Sequence, residues 1–265
     1  MRENKTVGKT KKDVAILIPI HPPYFKYTGA IFKSWHKTAL DVQSDLWFVF
    51  TNESERDRFV AWENCIVLPP ELRNFENHGI ITIKKFYGLS KIKDEYEYVI
   101  IFDAGCRFLK NIDLKAVCNT YWNNKVLLGN AQFKKEISIS IKQGCKRFFV
   151  SNSNIAELDD DDLYLWFNQP CIYKCDTVDD FFEKIDYAKN AASFSWSEFD
   201  YYIYMYYLLM FCGFKIVDME IRAVWGTLES ASKRILKSEN TRGGGLCSIQ
   251  INTSRFRFGF AQGSF

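Results

Sequence analysis

The segment Y-E-Y-V-I-I-F-D-A-G-C-R-F-L, residues 96–109, decides how the chain is read. Val99, Ile100, Ile101 and Phe102 make a short, uniformly apolar, β-rich run, the pattern of a central strand buried on both faces. The run stops at Asp103, and Ala104 and Gly105 follow. Open α/β sheets place their ligand chemistry at the carboxyl ends of such strands. Small residues there let a ligand approach the backbone closely. The competing reading of Asp103 is a turn cap, because turns also recruit Asp.

Upstream, strands and helices alternate. Residues 14–20, V-A-I-L-I-P-I, read as a first buried strand that breaks at His21-Pro22-Pro23. Thr28 is placed to N-cap a helix carrying Ile31, Phe32, Trp35 and Ala39. Residues 46–50 form a second strand, closed by Thr51 and Asn52. Ser54 is then placed to cap a helix with Phe59, Val60 and Trp62. Residues 65–68 are a third short strand stopped by two prolines. Residues 84–92 have helical spacing through Phe86, Leu89 and Ile92 and lead into the Asp103 strand. This β-α-β-α-β-α-β order predicts an α/β fold with a mostly parallel, Rossmann-like sheet and nucleotide-sized ligands at its carboxyl edge.

Downstream the pattern changes. Residues 126–129 read as another strand, and the acidic run 159–162 reads as a solvated loop. Residues 163–167 and 171–173 are aromatic or apolar on either side of Asn168-Gln169-Pro170. Thr177 is placed to cap a helix through Phe181, Phe182, Ile185 and Ala188, with Asp180 as a weak capping-box partner. Residues 199–211 are apolar almost all round, so that helix is expected to be buried on most sides. Gly213 ends it, and residues 214–217 form a late strand. The expected organisation is a basic disordered tail (1–12) and a single domain (13–265). That domain divides into a nucleotide-binding half (13–112) and a mixed, acceptor-facing half (113–265).

Composition narrows the classes. The chain has 265 residues, of which 47% are hydrophobic and 17% aromatic, enough for a sizeable core. A net charge of +3 is too small to make nucleic acid the main partner. No apolar leader precedes Val14, and no run is long enough to span a membrane, so a soluble, cytoplasmic protein is expected. Eight cysteines without a C-x-x-C pair argue against structural zinc and for small core thiols. Phosphate-loop, dinucleotide and nucleophile-elbow signatures are lacking.

K-K-F-Y-G-L (residues 84–89) followed by Y-V-I-I-F-D-A-G-C-R-F-L (98–109) resembles the central part of GT-A-fold glycosyltransferases, of the bacterial or large-DNA-virus type. A-I-L-I-P-I-H-P-P is similar to their first strand and donor loop, and W-S-E-F-D-Y-Y to their acceptor-facing acidic helix start. The resemblance covers residues 13–220. It implies transfer of a sugar from a nucleoside-diphosphate sugar, a uridine one favoured, to a glycan hydroxyl, with inversion expected. Pro19, His21, Thr51, Asn52, Lys85, Asp103, Ala104, Gly105 and Arg242 are then the donor-side residues.

Gly105 departs from that family. Its usual motif carries a second acid there, which holds Mg²⁺ or Mn²⁺ on the donor diphosphate. One carboxylate, Asp103, is a poor dedicated metal site, so metal dependence is expected to be weak or absent. Lys84, Lys85, Arg107 and Arg242 are candidates to carry the missing positive charge, with a surface position expected for Lys84 and Lys85. Glu198 and Asp200 are the candidate general bases. Glu198 equally suits a capping box with Ser195, and burial of Asp200 would raise its pKa usefully. Trp166, Gln169 and Trp196 are placed to form an acceptor platform, or alternatively belong to the core. A nucleotidyltransferase and a non-catalytic carbohydrate-binding protein remain the rival functions.

Overall fold

The computed structural model describes residues 12–59, 62–73, 79–130, 136–149, 164–165 and 171–218. Strands β1 (Lys12–Pro19), β2 (Ser44–Phe50), β3 (Cys65–Val67), β4 (Tyr96–Ile101) and β7 (Ile172–Lys174) form a sheet in the order β3-β2-β1-β4-β7. The first three pairings are parallel, and β7 runs antiparallel to β4. A smaller sheet holds β6 (Tyr164–Leu165), β5 (Val126–Asn130) and β8 (Lys215–Asp218), in that order. The expected mostly parallel, helix-flanked α/β fold is present.

Side-chain alternation explains why the large sheet is buried on both faces. Ile16, Ile18, Phe48, Phe50 and Ile100 point to one side, where α1 (Thr28–Lys37) and α4 (Leu114–Asn124) cover them with Ile31, Trp35, Leu114 and Cys118. Leu17, Val49, Val99 and Ile101 point to the other, against α3 (Ile80–Ile92) and α8 (Asp200–Phe211). A fully buried residue of these types contributes about 1.5–3 kcal/mol. Gly88 lets α3 approach closely: a Cβ there would stand 2.7 Å from Val49 Cγ2 and 2.9 Å from Leu17 Cδ2. Tyr202 to Leu208 are buried without a break, so α8 is buried on most sides as its sequence predicts.

Several local expectations are corrected. Lys12 is not tail: it opens β1, and its Nζ pairs with Asp45 at 2.5 Å. Thr28 lies inside α1, where its hydroxyl donates to Phe25 O and Tyr27 holds the cap position. Asn52, not Ser54, caps α2 (Glu53–Asp57), because its side-chain oxygen reaches Glu55 N at 2.9 Å. That helix ends before Phe59. The single helix expected after Thr177 is broken into α6 (Val178–Lys184) and α7 (Tyr187–Asn190) by Asp186, whose φ of 47° is left-handed. Thr177 does take the N-cap position of α6, but its hydroxyl donates to Lys174 O and accepts from no helix amide, and Asp180 accepts from the Tyr207 hydroxyl. The remaining helix, α5 (Glu136–Lys146), packs its carboxyl end on the turn before α8. Of the described cysteines, Cys106, Cys118, Cys145, Cys171 and Cys175 are buried and form no disulfide. No described helix is long and apolar enough to cross a membrane.

Candidate functional site

The strand order reverses between β1 and β4: the chain moves outward from β1 to β2 and β3, then crosses back to β4. The crevice outside the carboxyl ends of β1 and β4 is therefore the switch point where doubly wound sheets take ligands. Pro19 ends β1 there, and Asp103 stands just past β4, its backbone carbonyl accepting from Cys106 N at 3.0 Å. The Asp103 side chain is 43% exposed. Ala104 is buried and Gly105 half-buried beside it.

Two consecutive lysines of α3 reach this edge, and neither lies on the surface as expected. Lys85 is 4% exposed, and its Nζ lies 3.0 Å from Asp103 Oδ1 and 2.9 Å from Asp200 Oδ1. Asp200, 1% exposed at the first position of α8, accepts a second bond from the Tyr173 hydroxyl at 3.3 Å. Burial alone would pull Lys85 down, but the Asp103 and Asp200 carboxylates hold its ammonium above the usual lysine range. Burial pushes the Asp200 carboxyl up, against the opposing pull of Lys85 and Tyr173. The expected elevation of Asp200 is thus present, but its carboxylate is engaged by Lys85 and Tyr173 and shielded from solvent.

Lys84 lies at the β1–β2 side of the same edge. Its Nζ donates to Ile20 O at 2.6 Å and lies 3.5 Å from Glu55 Oε2, which also accepts from Thr51 N at 2.9 Å. One buried ammonium therefore ties the loop after β1, the end of β2 and α2 together. Burial draws Lys84 down to about 8, with Glu55 opposing. His21 follows Ile20 and is likewise lowered, by burial and then by Lys84. Thr51 is buried, and Asn52 is occupied as the α2 cap.

Lys84 gives a testable pH dependence. Its folded pKa of about 8 lies below its ordinary 10.5. Below pH 8 both states carry the charge, and the folded state bears the full cost of burying it. Between pH 8 and 10.5 the folded state releases the proton first, so stability rises with pH. Relative to Lys84→Met, the wild type is expected to gain about 2–4 kcal/mol over that interval, at about 1.36 kcal/mol per pK unit. Urea unfolding of both proteins at pH 7, 9 and 10.5 checks this, and a constant difference would refute it.

Glu198 is 4% exposed and fully engaged. Its carboxylate takes both Nε and Nη2 of Arg147, the latter at 2.9 Å, and accepts from Ser195 N at 2.8 Å. Its backbone carbonyl accepts from Thr82 of α3 at 2.8 Å. Of its two expected roles, this geometry is that of the cap: a turn brace that fixes the entry to α8. Trp196, within that turn, is 44% exposed. Trp166, Gln169 and Arg242 lie outside the described residues. Sequence reading missed Tyr173, Glu55 and Arg147. The available signal for Lys84 and Lys85 was their place in an otherwise apolar helix, where a buried ammonium requires a partner.

A divalent ion held at the strand-end motif by the protein alone calls for more than one acid, since a single carboxylate holds Mg²⁺ only together with substrate phosphates and waters. Here the second position is Gly105, and the Asp103 carboxylate already meets an ammonium at 3.0 Å. Among the described residues no group of three or more His, Cys, Asp or Glu side chains converges to hold a metal. As placed, Asp103 meets the Lys85 ammonium where a second ligand to a divalent ion would stand.

Strand order and site together define a doubly wound α/β protein with an acidic, lysine-braced crevice at its switch point. No protein-family model and no curated protein sequence matches the chain. Among solved structures it is similar to 4-diphosphocytidyl-2C-methyl-D-erythritol synthase from Anaerococcus prevotii DSM 20548, at 13% identity and a TM-score of 0.38, over 87% of this chain and 99% of that one. It is similar to CMP:2-keto-3-deoxy-manno-octonic acid synthetase, solved with CTP, at 13% identity and a TM-score of 0.38, over 85% and 99% of the two chains. It is also similar to mouse xyloside xylosyltransferase 1, at 10% identity and a TM-score of 0.40, over 91% and 99%.

Proposed function

We propose that the protein is a glycosyltransferase that moves a sugar from a nucleoside-diphosphate sugar, a uridine one favoured, to a hydroxyl of a glycan. The observation that carries this reading is Asp103, a half-open carboxylate at the switch point, held by Lys85 against the buried Asp200. Two carboxylates, each within 3.0 Å of the same ammonium, set acceptors and a donor side by side in a pattern suited to a polyhydroxylated ring. Lys84, Glu55 and Thr51 build the neighbouring nucleotide-side floor. Trp196 offers an aromatic face to the acceptor sugar.

In the transfer, the acceptor oxygen bonds to the anomeric carbon while the bond from that carbon to the diphosphate oxygen breaks. The acceptor proton goes to a carboxylate, and the nucleoside diphosphate leaves. Asp103 is the carboxylate open to a substrate; Asp200, 1% exposed, braces Lys85 from behind. In this reading Asp103 serves as the base, and Asp200 positions Lys85.

The test is donor breakdown. Incubated with UDP- and GDP-sugars, the wild type is expected to release free sugar and nucleoside diphosphate slowly, and faster with an acceptor glycan. Asp103→Asn is expected to lower turnover roughly 100-fold or more, the scale of a lost general base. Pyrophosphate release from CTP or UTP would establish the nucleotidyltransferase reading instead. Neither product would leave a carbohydrate-binding protein.

A further inference from the structure

The environment of Lys85 Nζ is that of a bound cation. Two carboxylate oxygens from different elements converge on it, Asp103 Oδ1 at 3.0 Å from the end of β4 and Asp200 Oδ1 at 2.9 Å from the start of α8. The Tyr173 hydroxyl donates to the second oxygen of Asp200 at 3.3 Å, and the Tyr201 ring lies with its centroid 5.4 Å from Nζ. The only difference from an ion site is that the cation is covalently attached to α3. The strand-end motif itself offers no second acid for a separate ion, since position 105 is glycine.

We propose that the Lys85 ammonium takes the place of a divalent metal: it is the crevice's built-in cation, Asp200 is the residue that positions it, and its charge keeps metal off Asp103. That the ligand so bound is a nucleoside diphosphate rests on the glycosyltransferase reading; the exclusion of metal from the carboxylate pair does not. Two acids are needed in either arrangement, because a single carboxylate neither orients an ammonium nor neutralises a divalent ion. Asp200 supplies the second acid from across the crevice, where a dicarboxylate motif would supply it from two residues along the strand end.

The exchange has a consequence of definite sign. A dicarboxylate holding a divalent ion is neutral overall, whereas two ionised carboxylates around one ammonium keep one negative charge. Asp103 therefore opposes an incoming diphosphate, where a metal-bound carboxylate would recruit it. Neutralising Asp103 should strengthen diphosphate binding even as it removes turnover, and that combination separates the two arrangements.

Calorimetric titration with UDP, GDP and CDP, in EDTA and in Mn²⁺, tests this on the wild type and on Asp103→Asn. The wild-type affinity is expected to agree within about twofold between the two conditions, and Asp103→Asn to bind severalfold more tightly. Tightening of the wild type by Mn²⁺ of about tenfold or more, or loss of binding in Asp103→Asn, would overturn the proposal. Mn²⁺ alone, followed by electron paramagnetic resonance, supplies a ligand-independent arm. The wild type is expected to leave Mn²⁺ free, and Lys85→Ala, with its two carboxylates now facing a vacated point, to bind it and gain melting temperature. Adding Asp200→Asn to that variant should abolish both effects. A folded Lys85→Ala protein indifferent to Mn²⁺ would refute the cation-site geometry. Should Lys85→Ala not fold, the wild-type and Asp103→Asn arms still decide. Should no nucleotide bind in any condition, the glycosyltransferase reading fails while the Mn²⁺ arm still tests the exchange.

Discussion

Lys85→Met is expected to lower folding stability by about 3–5 kcal/mol, the cost of leaving one partner of a buried ion pair uncompensated. Among the described residues, Asp200, 1% exposed, would keep the Tyr173 hydroxyl as its one hydrogen-bonding side chain. Its folded pKa would then rise further above the unfolded value, so the neutral form is favoured on folding. A carboxyl raised in this way destabilises most at neutral pH, where the unfolded chain is ionised, and the penalty shrinks as pH falls towards the ordinary carboxylate range. The deficit relative to wild type should therefore be widest near pH 7 and narrow on acidification to about pH 4. Chemical denaturation of both proteins across that range measures it. A deficit below about 1 kcal/mol at neutral pH would show that the triad is not a coupled buried network. Transfer should be lost in the same variant, because Asp103 loses the partner that orients it.

Gly79→Ala is expected to cost about 3 kcal/mol or more, at the upper end of overpacking effects. A Cβ at Gly79 would stand 1.9 Å from the carbonyl oxygen of Phe194 and 2.4 Å from its carbon. These are backbone atoms, so no rotamer change relieves the clash and two chain segments must separate. One segment is the start of α3, which carries Lys84 and Lys85. The other leads into the turn that holds Glu198 and delivers Asp200 to α8. The same substitution is therefore expected to impair the Lys85–Asp200 contact as well as stability. Gly29→Ala is the control: nothing lies within 4 Å of the added carbon, and the position is helical. It should be neutral or stabilising by about 0.5–1 kcal/mol. Thermal and urea unfolding of the two variants side by side give the comparison, and equal stabilities would contradict the clash.

Much of the fold is local in origin and therefore legible. The apolar run at Val99 to Phe102 has no polar side chain to expose, so it must be an interior strand, and β4 pairs on both edges. The apolar residues run almost all round α8, and Tyr202 to Leu208 are buried without a break, with Phe211 at its end exposed. Asp103 is placed at the strand end by the same logic. Local capping was less legible: Thr28 and Ser54 had the right chemistry for a cap but the chain started its helices a residue or two earlier, and Thr177 takes the cap position while its hydroxyl turns to Lys174 O. Hydroxyl side chains satisfy nearby carbonyls as readily as helix amides, and only the realised backbone path selects between them.

The α/β alternation, the buried central strand and the carboxylate at its end each follow from hydrophobic period and residue chemistry over a few positions. Which side chains meet at the strand ends depends instead on the packed fold. Lys85 pairs with Asp200 and Glu198 with Arg147 over sequence separations of 115 and 51. Nothing in the spacing of those residues encodes such pairings. They arise when packing of α3 on the sheet buries two lysines, and buried charges settle on whichever opposite charges the fold brings within reach.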